Sequence, residues 1–177
     1  MKHLKHILEN IGELAVKKYT GNRGESTHIN HDLNNDIENP DAKALQNHIM
    51  SHAANEPMDL YHGMKHAPNP VDGVVHTKSF ISATDTPEDA ALYAKPDHTS
   101  SFHYHPELNK PVHILHISVP KGTKGVYRVP SNLHNAPENE TIIHHGSRIN
   151  ITGQSTIHPA GTLHPTKDIV IHHGILQ

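Results

Sequence analysis

Two carboxylates separated by one residue form the part of the sequence best suited to chemistry. Glu138 and Glu140 flank Asn139, and the apolar run Thr141-Ile142-Ile143 follows directly. In an extended chain, residues i and i+2 point to the same side. Two acidic groups on one face favour a cationic group between them. The alternative is a polar loop that enters an edge strand, with both glutamates in solvent.

Two upstream segments carry polar groups that could act with these carboxylates. Residues 59–64 contain Tyr61-His62-Gly63, and residues 78–85 contain Ser82-Ala83-Thr84. Alternate residues of a strand share a face, so the hydroxyls of Ser82 and Thr84 are expected on the same side. Thr86-Pro87 follows, and proline is favoured at the first position of a helix.

Together the three blocks resemble the mono-ADP-ribosyltransferases, in particular the class named for an arginine, a serine motif and a glutamate. In that family, a first strand carries aromatic-Arg-Gly, a second carries Ser-Thr-Ser before a helix, and a late loop carries Glu-x-Glu before an apolar strand. Order and spacing agree from Leu14 to Ile151, and Tyr19-Thr20-Gly21 and Ile29-Asn30 are also family-like. The resemblance implies an α+β fold, with N-terminal helices packed on two antiparallel-type β-sheets and an NAD cleft between the sheets.

The resemblance also implies the reaction, which is cleavage of the nicotinamide–ribose bond of NAD, the co-substrate, and transfer of ADP-ribose. Glu140 matches the catalytic glutamate, which stabilises an oxocarbenium-like transition state and holds the ribose 2′-hydroxyl. Glu138 matches the upstream acidic position, which orients a guanidinium acceptor and takes its proton. A glutamate there points to arginine side chains of a host protein as acceptor.

The serine motif and the first-strand motif supply the remaining candidate residues. Ser82 is expected to hydrogen-bond the catalytic glutamate, with Thr84 beside it, although both could simply cap the following helix. His62, between Tyr61 and Gly63, stands where the family has arginine, and it is expected to contact the NAD phosphate or ribose. Another branch of the superfamily uses histidine on this strand. The alternative is a degenerate, inactive site.

Aromatic side chains provide candidates for stacking on nicotinamide or adenine. Phe80, Tyr93 and Phe102 are the three, and each could equally be a core residue. The polar segment from Lys95 to Lys110 is predicted to be a long loop, which in the family covers the NAD phosphates.

Composition limits the class of protein. A length of 177 residues suits one domain, predicted here as a helical part (1–56) and a β-rich NAD-binding core (57–177). The absence of cysteine excludes disulfides and thiolate metal sites, and a net charge of -3 gives no basic footprint for non-specific nucleic-acid binding. No apolar run approaches the roughly 20 residues of a membrane span. The first residues predict an amphipathic helix and no signal peptide, so a host or target-cell cytosol is the expected location.

The most unusual compositional feature is the count of 21 histidines. Neutral imidazole is a common metal ligand, so a non-enzymatic, histidine-rich metal-binding module is one alternative function. The histidines are scattered, however, and no His-Glu-x-x-His motif occurs, so no dedicated metal site is predicted. The other alternative is an NAD glycohydrolase, in which water replaces the acceptor.

Hydrophobic spacing predicts helices first and strands afterwards, which is an α+β pattern. Apolar residues at helical spacing predict an amphipathic helix over about the first 19 residues, a second helix that includes Ile29, Leu33 and Ile37, and a third that begins at Pro40. Short strands are predicted around residues 74–75, 80–81, 112–119, 126–129, 141–143, 149–151 and 169–171. The family resemblance implies a toxin or phage effector, and it leaves a nucleic-acid acceptor open beside a protein one.

Overall fold

The N-terminal third of the protein is helical. The computed structural model describes residues 2–21, 23–94, 111–133, 139–157 and 168–177. The first three elements are the helices α1 (Lys2–Gly21), α2 (Arg23–Asn34) and α3 (Pro40–Met50). α3 begins where the sequence predicts, because the Asn39 side chain accepts hydrogen bonds from the N–H groups of Asp41 and Ala42.

Within the described residues, the rest of the chain contains eight strands, one further α-helix and a short 3-10 helix (Ser131–Leu133). The strands and the α-helix are β1 (Met58–Met64), β2 (Val74–His76), β3 (Ile81–Ala83), α4 (Pro87–Tyr93), β4 (Val112–Val119), β5 (Val126–Arg128), β6 (Thr141–Ile143), β7 (Arg148–Ile157) and β8 (Ile169–Leu176). Thr86 caps α4, since its hydroxyl accepts from the Asp89 N–H. The predicted cap and the proline at the first helical position are therefore confirmed.

The strands form two sheets. A five-stranded sheet has the order β1-β4-β8-β7-β2, and a three-stranded sheet has the order β3-β6-β5. All pairings are antiparallel except that of β4 with β8, which is parallel. The predicted α+β fold with two sheets is confirmed.

The layers are held by three apolar clusters. One lies between helices α1–α3 and the three-stranded sheet and includes Leu45, Ile49 and Ile142, all fully buried. A second lies between the two sheets and includes Leu60 and Ile143. A third packs α4 on the outer face of the five-stranded sheet. The three-stranded sheet is thus enclosed on both faces, which explains why every residue of β6 is buried.

The two sheets meet at the strands that carry the motifs. Tyr61 of β1 and Thr84, just after β3, exchange backbone hydrogen bonds of 2.8 and 2.9 Å. This single bridge joins the first-strand motif to the serine motif. It places residues 23 positions apart in the sequence side by side, as a site built from both motifs requires.

Some predicted boundaries were wrong. α2 ends at Asn34, so Ile37 lies outside it and is 49% exposed. Asp36 adopts a positive φ of 56°, which ends the helical geometry before Ile37. β7 and β8 are longer than predicted, because polar residues continue both strands beyond their apolar starts. Within the described residues, no helix has the length and apolar character needed to cross a membrane.

Burial lowers the pKa of several histidines in this fold. They are His48, His62, His113, His145 and His172. Each binds a proton more weakly in the folded state than in the unfolded state, so the unfolded state takes up more protons as the pH falls.

We expect the protein to lose stability as the pH falls below about 6.5, the ordinary pKa of histidine, and to be most stable above it. The melting temperature, measured between pH 5 and 8, should be level at the alkaline end and fall on the acid side. His172→Gln is the matched variant, because burial lowers the pKa of His172 and the neighbouring His113, whose Nδ1 lies 3.1 Å from Nε2 of His172, lowers that pKa further. If the melting temperature of His172→Gln falls on the acid side as steeply as that of the wild type, the His113–His172 pair does not cause the acid sensitivity.

Candidate active site

A hydrogen bond between two motif residues forms the centre of the site. The Ser82 hydroxyl donates to Oε1 of Glu140. Ser82 lies opposite Ile142 in the β3–β6 pair, so Glu140, two residues before Ile142, is its diagonal neighbour on the same face. The register of two three-residue strands therefore brings the serine motif and the late glutamate together, which is the contact that the family resemblance implies.

The strand that carries His62 is fixed to the same serine. Nδ1 of His62 lies 2.7 Å from the carbonyl oxygen of Ser82. Because a carbonyl only accepts, Nδ1 carries the proton and donates it. A neutral ring then keeps Nε2 as an acceptor. Burial lowers the pKa of His62, so the imidazole is uncharged at neutral pH although the hydrogen bond to Ser82 opposes this shift.

A buried tyrosine and an asparagine from the helices surround the same pair. Tyr19 is 3% exposed, and its hydroxyl accepts a hydrogen bond of 3.1 Å from Nδ2 of Asn30. Burial raises the pKa of Tyr19 to about 12, with a smaller contribution from the negative charge of Glu140. Hydrogen bonding with Asn30 and with Ser82 lowers this pKa and so partly offsets the rise. The phenol therefore lies within interaction range of both Ser82 and Glu140.

The residue between the two glutamates changes the geometry of the loop. Asn139 has φ of 84°, a left-handed conformation that asparagine tolerates better than most residues. Its side-chain oxygen accepts from Nη2 of Arg128 at 3.2 Å, and the same guanidinium nitrogen donates to Asp85. Asn139 is therefore not in the extended conformation expected for this segment, and Glu138 lies outside the described residues. The rule that residues i and i+2 share a side does not apply across a left-handed residue.

The two neighbours of His62 in the first-strand motif make packing contacts. A Cβ on Gly63 would lie 2.1 Å from the Ala90 carbonyl oxygen, so only glycine allows α4 to approach β1 this closely. The Tyr61 ring stacks on His116, with ring centroids 4.9 Å apart. Since successive residues of a strand point to opposite faces, the Tyr61 ring lies on the face of β1 away from His62.

Comparison with known proteins identifies solved structures that have a similar architecture. Neither the family models nor the curated protein sequences contain a match. Among solved structures, "Plx2a, an ADP-ribosyltransferase toxin from Paenibacillus larvae" matches with a TM-score of 0.64 at 12% identity, covering 94% of this chain and 85% of that one. The structure of C3stau2 from S. aureus with NAD matches with a TM-score of 0.61 at 15% identity, covering 93% and 86%. The chain has the ADP-ribosyltransferase fold.

A toxin component with a longer chain shows the same fold over part of its length. The enzymatic component C2-I of the C2 toxin from Clostridium botulinum matches with a TM-score of 0.62 at 13% identity. The match covers 93% of this chain and 44% of that one. The ADP-ribosyltransferase fold therefore accounts for nearly all of the present chain.

Within this ADP-ribosyltransferase fold, the remaining predicted residues fall in different places. Phe80 is 3% exposed, and its ring lies between Tyr19 and His145, which makes it a core residue in this structure. The hydroxyl of Thr84 accepts from the Thr86 N–H at 3.4 Å, beside the bridge to β1. Glu138, Phe102 and the 95–110 segment lie outside the described residues.

Tyr19 and Asn30 are the site residues that motif reasoning did not assign. Both belong to segments noted as family-like, but neither has a residue type that suggests catalysis when it lies on a helix. Their approach to Ser82 depends on how α1 and α2 pack on β3, which no local pattern encodes. Among the described residues, no group of three or more His, Asp or Glu has the arrangement of a metal site.

Proposed function

We propose that the protein cleaves the nicotinamide–ribose bond of NAD and transfers the ADP-ribose to a macromolecular acceptor, with arginine side chains of a host protein as the preferred class. The hydrogen bond from Ser82 to Glu140 is the observation that carries the proposal. It fixes a carboxylate at the junction of the two sheets in an ADP-ribosyltransferase fold. That NAD appears with one of the solved structures of this fold supports NAD as the co-substrate.

The proposed chemistry places developing positive charge next to Glu140. The bond from ribose C1′ to the nicotinamide nitrogen breaks, and its electron pair leaves with neutral nicotinamide. The ribose then carries positive charge shared between C1′ and the ring oxygen. A preorganised carboxylate stabilises this charge without reorganising as it forms. A guanidinium nitrogen of the acceptor attacks C1′, and Glu138 takes the proton that this nitrogen loses.

In this proposal, His62 is an uncharged residue that links the Ser82 backbone to the ligand. Its Nδ1–H holds the Ser82 carbonyl, and its Nε2 faces the ligand side as an acceptor for a ribose hydroxyl. In the family, an arginine at this position supplies a positive charge that faces the NAD phosphates. The uncharged His62 does not supply one.

Incubation with NAD labelled in the adenylate part separates the candidate activities. Label attached to protein in a treated host-cell lysate supports transfer, and mass spectrometry of the labelled band identifies the modified side chain. Free labelled ADP-ribose without labelled protein supports an NAD glycohydrolase instead. Intact NAD after prolonged incubation would reject both activities.

Two substitutions at His62 separate its structural contact from its ligand contact. Asparagine places an amide nitrogen near the position of Nδ1, so His62→Asn should keep the bond to Ser82 while removing Nε2. We expect His62→Asn to keep the wild-type melting temperature and bind NAD more weakly. His62→Ala loses both contacts, and it should also be destabilised by about 1 kcal/mol, the usual net value of a hydrogen bond.

Calorimetric titration with NAD and thermal melts of the three proteins test this division of roles. If His62→Asn binds NAD as well as the wild type does, Nε2 has no part in recognition. If His62→Ala has the melting temperature of the wild type, the hydrogen bond from His62 to the Ser82 carbonyl does not contribute to stability.

A further inference from the structure

The side chain of Asn30 joins three elements around the serine that holds Glu140. Its Oδ1 accepts a hydrogen bond of 3.2 Å from the backbone N–H of Phe80, two residues before Ser82. Its Nδ2 donates to the Tyr19 hydroxyl at 3.1 Å. Because a backbone N–H can only donate, Oδ1 must face Phe80, and this fixes the orientation of the amide.

Tyr19 contacts the same strand through its ring. The ring meets Phe80 edge to face, with centroids 5.6 Å apart and an interplanar angle of 71°. Aromatic pairs of this geometry are favourable beyond their buried area. Asn30 and Tyr19 therefore both contact Phe80, just before β3, Asn30 through the Phe80 backbone and Tyr19 through the Phe80 ring.

The donors and acceptors of the group form a consistent series. Asn30 donates to Tyr19, so the Tyr19 oxygen is already an acceptor and its own proton is available to another group. Ser82 uses its proton on Glu140, which leaves its oxygen as an acceptor. The phenol lies close enough to Ser82 and Glu140 for both groups to act on it, so the Asn30 amide, the Tyr19 hydroxyl, the Ser82 hydroxyl and the Glu140 carboxylate form one series of neighbouring polar groups. Each link polarises the next in such a chain.

We propose that Tyr19 and Asn30 are positioning residues, which fix the Ser82 hydroxyl as a donor to Glu140 and so hold the carboxylate in its reactive orientation. This inference rests on the proposed function of Glu140. The pair touches neither the ribose nor the acceptor in this proposal, so its effect should fall on turnover of bound NAD and leave NAD binding intact.

Two near-isosteric substitutions test the series link by link. Tyr19→Phe keeps the ring against Phe80 and removes the hydroxyl. Asn30→Asp keeps an oxygen for the Phe80 N–H but turns the donor to Tyr19 into an acceptor, which reverses the hydrogen bond between the two side chains. Tyr127→Phe is the control, because Tyr127 is also buried in the helix-facing core, where it packs on His48 and His52.

Single-turnover release of nicotinamide and calorimetric titration with NAD separate an effect on turnover from an effect on NAD binding. Tyr19→Phe and Asn30→Asp should each lower kcat by about 10- to 100-fold, because small displacements of a catalytic group can cost 10²-fold. The Kd for NAD should stay within about twofold. The double variant should be no slower than the slower single variant, since both break one series. Wild-type kcat in Tyr19→Phe, or an equal loss in Tyr127→Phe, would overturn the inference.

A second readout does not depend on turnover. The carboxyl carbon of Glu140, observed by NMR after ¹³C labelling of glutamate and assigned with Glu140→Gln, reports the hydrogen bond from Ser82. Its resonance should move in Tyr19→Phe and Asn30→Asp and stay in place in Tyr127→Phe. If wild-type protein leaves NAD intact, the proposed function fails, and this resonance still decides whether the pair positions Glu140. An unmoved resonance in both variants would overturn the positioning role.

Discussion

Glu140→Gln should abolish both nicotinamide release and ADP-ribose transfer while leaving the fold intact. Glutamine keeps an oxygen for the Ser82 hydroxyl, so the change removes the negative charge and little else. Loss of one group that stabilises a transition state electrostatically costs about 10²–10³ in rate. Because Glu140 would also hold the ribose 2′-hydroxyl, the loss should lie at the upper end of that range.

Rates of nicotinamide release and a thermal melt of the same preparation test this expectation. Glu56→Gln is the matched control, since Glu56 is an exposed carboxylate between α3 and β1. The control should behave as wild type in both measurements. Undiminished turnover in Glu140→Gln would remove Glu140 from the mechanism, and with it the observation on which the proposed function depends.

Glu138→Gln should separate the two half-reactions. NAD hydrolysis should largely survive, because the proposed mechanism assigns charge stabilisation at C1′ to Glu140. Transfer to arginine should fall by at least about 10²-fold, within the range that positioned general bases contribute. The guanidinium would have lost the carboxylate that orients it and accepts its proton.

Both reactions should be measured on one preparation, with a small guanidino compound as acceptor. Equal loss of hydrolysis and transfer would assign Glu138 to the NAD half-reaction. Equal retention would make it a surface charge and would remove the argument for arginine as the acceptor. Asn139→Gly is a useful companion, because glycine keeps the left-handed conformation of this loop while removing the contact with Arg128.

Parts of this structure follow from local sequence signals. The apolar spacing of α1, the Asn39 cap before Pro40 and the Thr86 cap before Pro87 each have a local physical cause, so these elements could be predicted. The closeness of Ser82 and Glu140 could be predicted only through the family resemblance. Strands of three residues carry too little pattern to fix a register, and the register is what makes the two residues diagonal neighbours.

Other parts depend on tertiary packing. Tyr61 and His62 are adjacent in sequence, yet the two rings lie on opposite faces of β1, and only the packing of the sheet shows which face the site uses. Phe80 was a candidate for stacking on NAD, but the helices cover it. Asn139 breaks the extended geometry that the spacing of the two glutamates suggests, because its conformation is set jointly with Arg128 and Asp85.

The position of β8 has a consequence for how the protein is made. β8 comes last among the described strands, yet it lies in the middle of the five-stranded sheet, between β4 and β7. During synthesis, the β1–β4 pair must wait with one edge unpaired until residues 169–176 have left the ribosome. Such long-range pairing slows folding and exposes strand edges to aggregation. We therefore expect the helical part to form early on the ribosome and the five-stranded sheet to close only after these residues have emerged.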